Sequence, residues 1–452
     1  MKLTVIGAGY VGLVSAAGFA DFGYTVTCVD KDISRIAELN NGAIPIYEQG
    51  LEPLIANNRR AGRLQFTENL KAAVAGADVV LIAVGTPTAE GQGSADLTAL
   101  FAASREVAAA LTGFAVIMTK STVPVGTAAK LRAMIAADRP GLDFEVASNP
   151  EFMREGSAVE DFLHPDRVVL GVASHRAETV LLQLYRPLAN KGVPIVVTNC
   201  EAAEVIKYAA NTFLATRIAF INQLADLCER AGADIQEVAR GMGMDKRIGQ
   251  HFLSPGPGYG GSCFPKDTRA LAAIARDHSA TFTILENVIA ANEARKTALV
   301  DRIEAAVGGN LEGRRIGVLG IAFKAETDDI REAASLAVIP ELQRRGASIA
   351  AFDPVAMDNG RKAFNAVQWC ADPYSVSVGA TGVVVLTEWN VFRGMDLAKL
   401  THGMRSPVIV DFRNLFSLAD ARLANVNYHS VGRPVVHACG AVGATRAAAE
   451  GG

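Results

Sequence analysis

The sequence predicts an α/β protein of two doubly wound modules joined by a long central helix. Three observations carry that expectation. Residues 3–6 form a short apolar run, followed by Gly7-Ala8-Gly9-Tyr10-Val11-Gly12, a helix-compatible stretch from Leu13 to Phe22, and a second run Thr25–Val29 closed by Asp30. The same rhythm restarts at Arg315-Ile316-Gly317-Val318-Leu319-Gly320, with a helix near 332–345 and a run Ser348–Phe352 that leads into Asp353-Pro354. Between them, Cys200 to Arg230 contains neither Gly nor Pro, and its apolar residues recur at helical spacing.

Strand, G-x-G-x-x-G, helix, strand, acid is the Rossmann dinucleotide fingerprint in its required context. Gly7 permits the tight turn, Gly9 admits the pyrophosphate to the backbone, and Gly12 lets helix and strand pack closely. The helix N-terminus offers free N–H groups and its positive dipole end to phosphate. Asp30 suits the ribose hydroxyls, and its charge opposes the extra phosphate of NADP, so the expected cofactor is NAD. Further apolar runs at 79–84, 115–118 and 145–147 extend a parallel sheet. They end in Gly85-Thr86-Pro87-Thr88, Lys120-Ser121-Thr122-Val123-Pro124-Val125-Gly126 and Ser148-Asn149-Pro150-Glu151. Ligands in open α/β sheets bind at carboxyl ends of strands. Ser121 and Thr122 are therefore candidates to hold a carbonyl or nicotinamide group, and Glu151 is a candidate general base.

The helix from 200 to 230 exceeds ordinary globular length, which suits a domain joiner or a dimer seam. Lys207 and Asn211 lie four apart on one face of it. Further helix is expected at 233–241 and 268–306. In the second module, Gly320-Ile321-Ala322-Phe323-Lys324 lacks the second and third fingerprint glycines. It should bind something other than a dinucleotide pyrophosphate, with Lys324 and Arg413 as charges for phosphates. Two further runs, 383–386 and 407–411, continue that module, and the Ala/Gly-rich tail from about 433 is expected to fray.

The stretch Gly258-Tyr259-Gly260-Gly261-Ser262-Cys263-Phe264-Pro265-Lys266-Asp267 is the candidate working centre. Its glycines admit close approach of backbone or ligand. A cation near a thiol favours the reactive thiolate, and Lys266 follows Cys263 closely. The bland alternative is a surface turn with an incidental cysteine.

Composition limits the function classes. The chain has 452 residues, half of them hydrophobic, and a net charge of −3, so it has ample core and no global attraction to nucleic acid or anionic membrane. No apolar run reaches the length of a membrane span, and the opening residues enter a strand pattern without a signal peptide. Six cysteines (Cys28, Cys200, Cys228, Cys263, Cys370, Cys439) show no paired or metal-type spacing, so no metal is expected and the reading is a cytoplasmic, reducing environment.

Taken together these stretches resemble the UDP-glucose/GDP-mannose dehydrogenase family over residues 1 to about 430. The resemblance rests on Ile44-Pro45-Ile46-Tyr47-Glu48 with Gly50-Leu51-Glu52, the 120–126 segment, Asn149–Phe152 with Arg154-Glu155-Gly156, Pro165-Asp166-Arg167, Glu204–Asn211, Phe252–Asp267 and Thr387-Glu388-Trp389. The Pro-Gly-Tyr lead-in to the cysteine favours the UDP-glucose branch. Gln49 stands where the family usually has Pro, and Ile321, Ala325 and Glu326 vary the phenylalanine–lysine turn.

The resemblance implies a four-electron oxidation of a nucleotide sugar's primary alcohol to a carboxylate with two NAD+ in succession. UDP-glucose is the expected substrate, and UDP-N-acetylmannosamine or GDP-mannose the alternative. It assigns Cys263 to the covalent step, Lys207 and Asp267 to the alcohol proton and oxyanion, and Glu151 to water activation. Asn211 and Thr122 become polar contacts at the reacting centre. The cofactor set is Gly7, Gly9, Tyr10, Val11, Gly12, Asp30, Arg35, Thr86, Thr122, Glu155 and Arg331. The sugar-nucleotide set is Glu151, Phe152, Lys207, Asn211, Phe252, Tyr259, Gly260, Lys324 and Arg413, with Arg247 lent by a partner subunit, which implies a homodimer. The expected division is an NAD-binding domain (1–198), a central helical domain with the cysteine loop and dimer seam (199–306), a nucleotide-sugar domain (307–434) and a flexible tail (435–452). A single-step β-hydroxyacid-type dehydrogenase needs no such thiol, and a non-catalytic sugar-nucleotide sensor needs no Cys263, Lys207 and Asp267 together.

Overall fold

The computed structural model describes residues 1–88, 93 and 95–439. The chain divides into two compact units, Met1–Asn211 with Arg269–Thr281, and Thr212–Thr268 with Phe282 onward.

The first unit is built on eight strands: β1 (Lys2–Ile6), β2 (Thr25–Val29), β3 (Leu64–Thr67), β4 (Val79–Ile82), β5 (Ala115–Thr119), β6 (Phe144–Ser148), β7 (Val168–Gly171) and β8 (Ile195–Thr198). Their order is β3-β2-β1-β4-β5-β6-β7-β8. All pairings are parallel except β6 with β7. Helices cover both faces of such a sheet, so central strands are apolar throughout and do not alternate. Thus every residue of β4, β5 and β7 is buried, whereas the edge strand β8 is half exposed. The strand order reverses between β1 and β4, which places a ligand crevice over the carboxyl ends of those strands.

The second unit carries six strands: β9 (Arg315–Leu319), β10 (Ser348–Phe352), β11 (Val367–Trp369), β12 (Gly382–Val385), β13 (Val408–Asp411) and β14 (Asn427–Ser430). They run parallel in the order β11-β10-β9-β12-β13-β14. Helices Ile235–Gly243 and Thr283–Ala306 belong to this unit. The expected long helix is present as Cys200–Ala231, 32 residues, and its first twelve positions count with the first unit.

Three expectations change. The helical stretch foreseen at 268–306 begins earlier and is broken, as Phe264–Asp277 and Thr283–Ala306. Pro265 sits in the first turn, where its missing N–H costs nothing. Ser279, at φ +55°, turns the chain out of the first helix while Ser279 and Ala280 donate back to the carbonyls of Arg276 and Ala275. Short strands β3, β7, β8, β11 and β14 add to those expected. Within residues 433–439, assigned to a fraying tail, Arg433, Val436 and Ala438 are buried. Val436 pairs with Tyr428, and buried Arg433 donates to Ser430, Tyr428 and the Phe416 carbonyl. The tail beyond 439 lies outside the described residues.

Candidate functional site

In the first unit, the turn after β1 has the geometry its glycines require. Gly7 lies at φ +104°, and a Cβ there would sit 2.7 Å from the Ala83 carbonyl oxygen. A Cβ on Gly12 would fall 1.8 Å from the Gly7 carbonyl oxygen, so only glycine allows this helix to pack against its own turn. Above Gly9 there is open space for 4 Å. The helix Tyr10–Asp21 starts from Gly9 with no side-chain cap, so its first N–H groups face that space. Asp30 receives the Ala8 amide at 2.7 Å and Arg35 at 3.5 Å. An open, uncapped helix start beside a strand-end carboxylate fits the pyrophosphate and ribose of NAD.

The other strand ends of this unit gather the polar candidates. The Thr86 hydroxyl donates to the Thr122 carbonyl at 2.9 Å, joining the loops after β4 and β5, and Ser121 is spent on the Val84 carbonyl at 2.6 Å. Beyond β6, Glu151 pairs with Lys207 at 3.0 Å, with side chains only 8% and 4% exposed. The Met153 amide also donates to Glu151 at 2.7 Å. The Lys207 ammonium lies 5.5 Å from the centre of the Phe152 ring, on which Arg167 stacks at 3.7 Å. Asn211 follows one turn later and is buried. A buried lysine–carboxylate pair is shielded from bulk water and offers a cation and a carboxylate side by side.

Several residues in this unit support the site without having been assigned to it. Glu48 accepts hydrogen bonds from the Tyr10 hydroxyl and from the amides of Gly156 (2.7 Å) and Ala158 (2.8 Å). It thereby ties the segment containing Glu155 to the start of the cofactor helix. Buried Lys120 donates to the Asn149 side chain at 2.9 Å and to the Tyr185 hydroxyl at 3.4 Å. Burial pushes its pKa down to about 8; the Glu151 charge opposes that shift and Lys207 adds to it. Glu204 accepts from the amides of Gly126 (2.6 Å) and Ala128 (2.9 Å) at the start of the helix Thr127–Asp138. Burial raises its carboxyl to about 7 against those amides. Lys120 and Glu48 both lie within motifs visible in the sequence; only their burial reveals their work.

In the second unit, Cys263 stands half-buried immediately before the helix Phe264–Asp277, whose first turn closes from the Asp267 amide to the Cys263 carbonyl at 2.8 Å. The positive end of a helix favours a thiolate. Lys266, expected to supply that cation, instead bonds Asp267 at 2.5 Å, and the Ser262 hydroxyl lies 3.4 Å from the sulfur. Asp267 itself is fully buried. The loop glycines make room for the protein's own atoms: a Cβ on Gly260 would lie 2.4 Å from the Glu332 carbonyl oxygen, and one on Gly261 2.7 Å from the Phe323 ring. The Gly261 amide donates to the Arg331 carbonyl at 2.8 Å. Arg413 donates to the carbonyls of Phe323 (2.7 Å) and Leu386 (2.8 Å), and the Lys324 ammonium lies over the Phe323 ring. Tyr259, Gly260, Phe323, Lys324, Arg331 and Arg413 therefore form one neighbourhood. Phe252, at φ +60°, faces Phe264 at 6.2 Å. Arg247 stays apart, 89% exposed and paired with Asp245 at 2.6 Å.

These features define an NAD-dependent oxidoreductase carrying a second, differently filled doubly wound module. Three profiles of the UDP-glucose/GDP-mannose dehydrogenase family match in succession: the NAD binding domain over residues 1–189, the central domain over 201–294 and the UDP binding domain over 317–418. The chain belongs to this family. It is 50% identical over 436 residues to the UDP-glucose 6-dehydrogenase of Rhizobium meliloti (strain 1021), covering 96% of this chain and 100% of the relative. Identity to the UDP-glucose 6-dehydrogenase TuaD of Bacillus subtilis (strain 168) is 45%, over 96% and 94% of the two chains. Among solved structures, a UDP-glucose dehydrogenase from Pyrobaculum islandicum superposes with a TM-score of 0.87 at 40% identity, covering 96% of this chain and 98% of that one. A UDP-D-ManNAc dehydrogenase from Pyrococcus horikoshii gives 0.85 at 26% identity, covering 96% and 99%.

Proposed function

We propose that this protein oxidises UDP-glucose to UDP-glucuronate through a cysteine-bound intermediate. The observation that carries the chemistry is the pair of prepared groups: a buried Lys207–Glu151 ion pair, and a thiol at the start of a helix with Asp267 one turn on. The choice of UDP-glucose rests on the names of the most similar relatives.

NAD+ supplies the hydride acceptor, twice per sugar. The Gly7–Gly12 turn and Asp30 would hold it, with Tyr10, Val11, Arg35, Thr86, Thr122, Glu155 and Arg331 contributing further contacts. The Asp267 carboxylate takes the proton of the sugar's primary alcohol, and the Lys207 ammonium steadies the developing oxyanion. The Cys263 sulfur then adds to the aldehyde carbon, giving a thiohemiacetal whose oxygen takes up a proton. Loss of a second hydride from that carbon, and of the hydroxyl proton, leaves a thioester. Glu151 activates water, whose oxygen attacks the thioester and expels the Cys263 thiolate. In sum, one alcohol, one water and two NAD+ give one carboxylate, two NADH and three protons. Asn211, Phe152, Phe252, Tyr259, Gly260, Lys324 and Arg413 position the sugar nucleotide.

The division into an NAD-binding part (1–198), a central part (199–306) and a nucleotide-sugar part (307–434) accompanies this reading, supported by the ranges of the three family profiles. So does a homodimer: Phe213, Phe220 and Leu227 recur every seven residues along the long helix and are 62%, 52% and 59% exposed. Arg247 then serves the partner's site. All six cysteines are free thiols, in keeping with a reducing cytoplasm. No helix among the described residues is long and apolar enough to cross a membrane.

The decisive test is Cys263→Ala. Overall turnover should fall by about a thousandfold or more, the scale of a lost covalent catalyst. Any remaining activity should stop at the aldehyde, trapped by a hydrazine. A variant still making two NADH per sugar at near wild-type rate would show that the thiol is structural.

A further inference from the structure

The segment leading to the cysteine has an unusual source of hydrogen bonds. Irregular backbone that is buried must find partners for its N–H and C=O groups. At Gly256 and Tyr259, all four such groups are answered by side chains. The Gly256 amide donates to Asn222 Oδ1 at 2.7 Å, and its carbonyl accepts from Arg295 Nε at 2.6 Å. The Tyr259 amide donates to Asn292 Oδ1 at 2.8 Å, and the Tyr259 carbonyl accepts from Asn292 Nδ2 at 3.1 Å. Asn292 thus pairs with one residue as a neighbouring strand would.

The clamp is rigid and sterically enforced. Asn222 and Asn292 are each 3% exposed. Arg295 is fixed in turn by Asp226 at 3.0 Å. Gly258 sits at φ +113°, and a Cβ there would lie 2.8 Å from Asn292 Oδ1. From Tyr259 the constraint passes on through its ring, which meets Phe264 edge-on at 6.3 Å within a cluster of Ala215, Ala219 and Val288. Phe264 directly follows Cys263.

We propose that Asn292 is a positioning residue for Cys263, acting through Tyr259 and Phe264 to set where the sulfur meets the aldehyde. The role rests on the reaction proposed above, and it concerns the covalent step more than the first oxidation. A misplacement on the scale of 1 Å costs about a hundredfold in a step needing aligned reactants. The first hydride transfer does not use the sulfur and should be spared.

Asn292→Asp keeps size and the acceptor but loses the donor, setting a carboxylate oxygen against the Tyr259 carbonyl. The expected result is a folded protein whose second oxidation slows by about 10- to 100-fold. NADH per UDP-glucose should drop below two, and hydrazine should capture free aldehyde. Independently of any sugar, iodoacetamide should alkylate Cys263 at a rate changed severalfold, measured in a Cys439→Ser background because the remaining cysteines are buried. If Asn292→Asp does not fold, Gly258→Ala, which pushes on the same amide, is read by the same assays. Two NADH per sugar with unaltered alkylation would overturn the proposal. So would an equal loss of both oxidations without escaping aldehyde, which would mark Asn292 as merely structural. Should the wild type yield no NADH from UDP-glucose, the functional reading fails, and alkylation still decides the clamp.

Discussion

At the end of β2, Asp30 is 12% exposed and receives the Ala8 amide at 2.7 Å, the Asp32 amide at 3.0 Å and a long contact from Arg35. At the equivalent end of β10, Asp353 is fully buried and receives five donors: the amides of Ile321, Ala322, Val355 and Ala356, and the indole of Trp389. The preceding turns match closely. Gly7 (φ +104°) donates to the Val29 carbonyl at 2.7 Å, and Gly320 (φ +84°) to the Phe352 carbonyl at 2.9 Å. The helix then follows at Tyr10 in the first module, but only at Ala334 in the second. The intervening residues 321–333 carry Phe323 and Arg331 to the cysteine loop. One junction is left open for a ligand; the other is closed by the protein's own groups. The glycine turn is shared by both, and the groups that fill the junction set them apart.

The contrast is sharpest in stability. Asp353→Ala strands five buried donors and should cost about 3–5 kcal/mol, whereas Asp30→Ala should cost less than about 1 kcal/mol. Urea denaturation of both variants checks this, and equal costs would erase the distinction.

Buried cations differ likewise. Arg433 is met by the Tyr428 hydroxyl, Ser430, Gln236 and the Phe416 carbonyl, while Lys120 has only Asn149 and Tyr185; neither makes an ion pair among the described residues. Phe162, Tyr185, Glu151 and Lys207 surround it. Because burial lowers the Lys120 pKa from 10.5 to about 8, the unfolded chain holds that proton more tightly. Below pH 8 both states are protonated and the burial cost is fully felt. Stability should therefore rise between about pH 8 and 10.5, by on the order of 3 kcal/mol. Lys120→Met should lack that rise, measured as unfolding free energy against pH.

The smallest expected effect is on cofactor choice. Asp30→Ala should weaken NAD binding about tenfold, near 1.4 kcal/mol, and reduce discrimination against NADP. Titration of NAD and NADP by intrinsic fluorescence or calorimetry reads both. Asp353→Asn, if folded, should leave NAD affinity unchanged.

The open module was the more legible one. Its fingerprint is local, so Gly7, Gly9, Gly12 and Asp30 announce a shape within thirty residues. The long helix was equally plain, since apolar spacing over 32 residues admits little else. Edge strands such as β3 and β11 escaped notice because four or three residues give no period to count. The start of the helix at Phe264 was marked by Pro265, a signal overshadowed by the cysteine beside it. Pairings between distant residues stayed hidden. Nothing local joins Glu151 to Lys207, 56 positions on, or Tyr259 to Asn292. An asparagine inside a helix looks like a solvated surface residue until its burial is known.

Glu48 brings a practical constraint for anyone wishing to re-engineer this chain. Its one carboxylate is the knot where the opening turn of the cofactor helix, through Tyr10, is lashed to the amides of Gly156 and Ala158. A transplanted fingerprint with any residue other than Tyr at position 10 would arrive without the matching hydroxyl. The segment after Glu151 would then lose a tether although no residue in it had been altered. Position 10 and position 48 are best exchanged as a set, and libraries that vary them separately will be dominated by mismatched combinations.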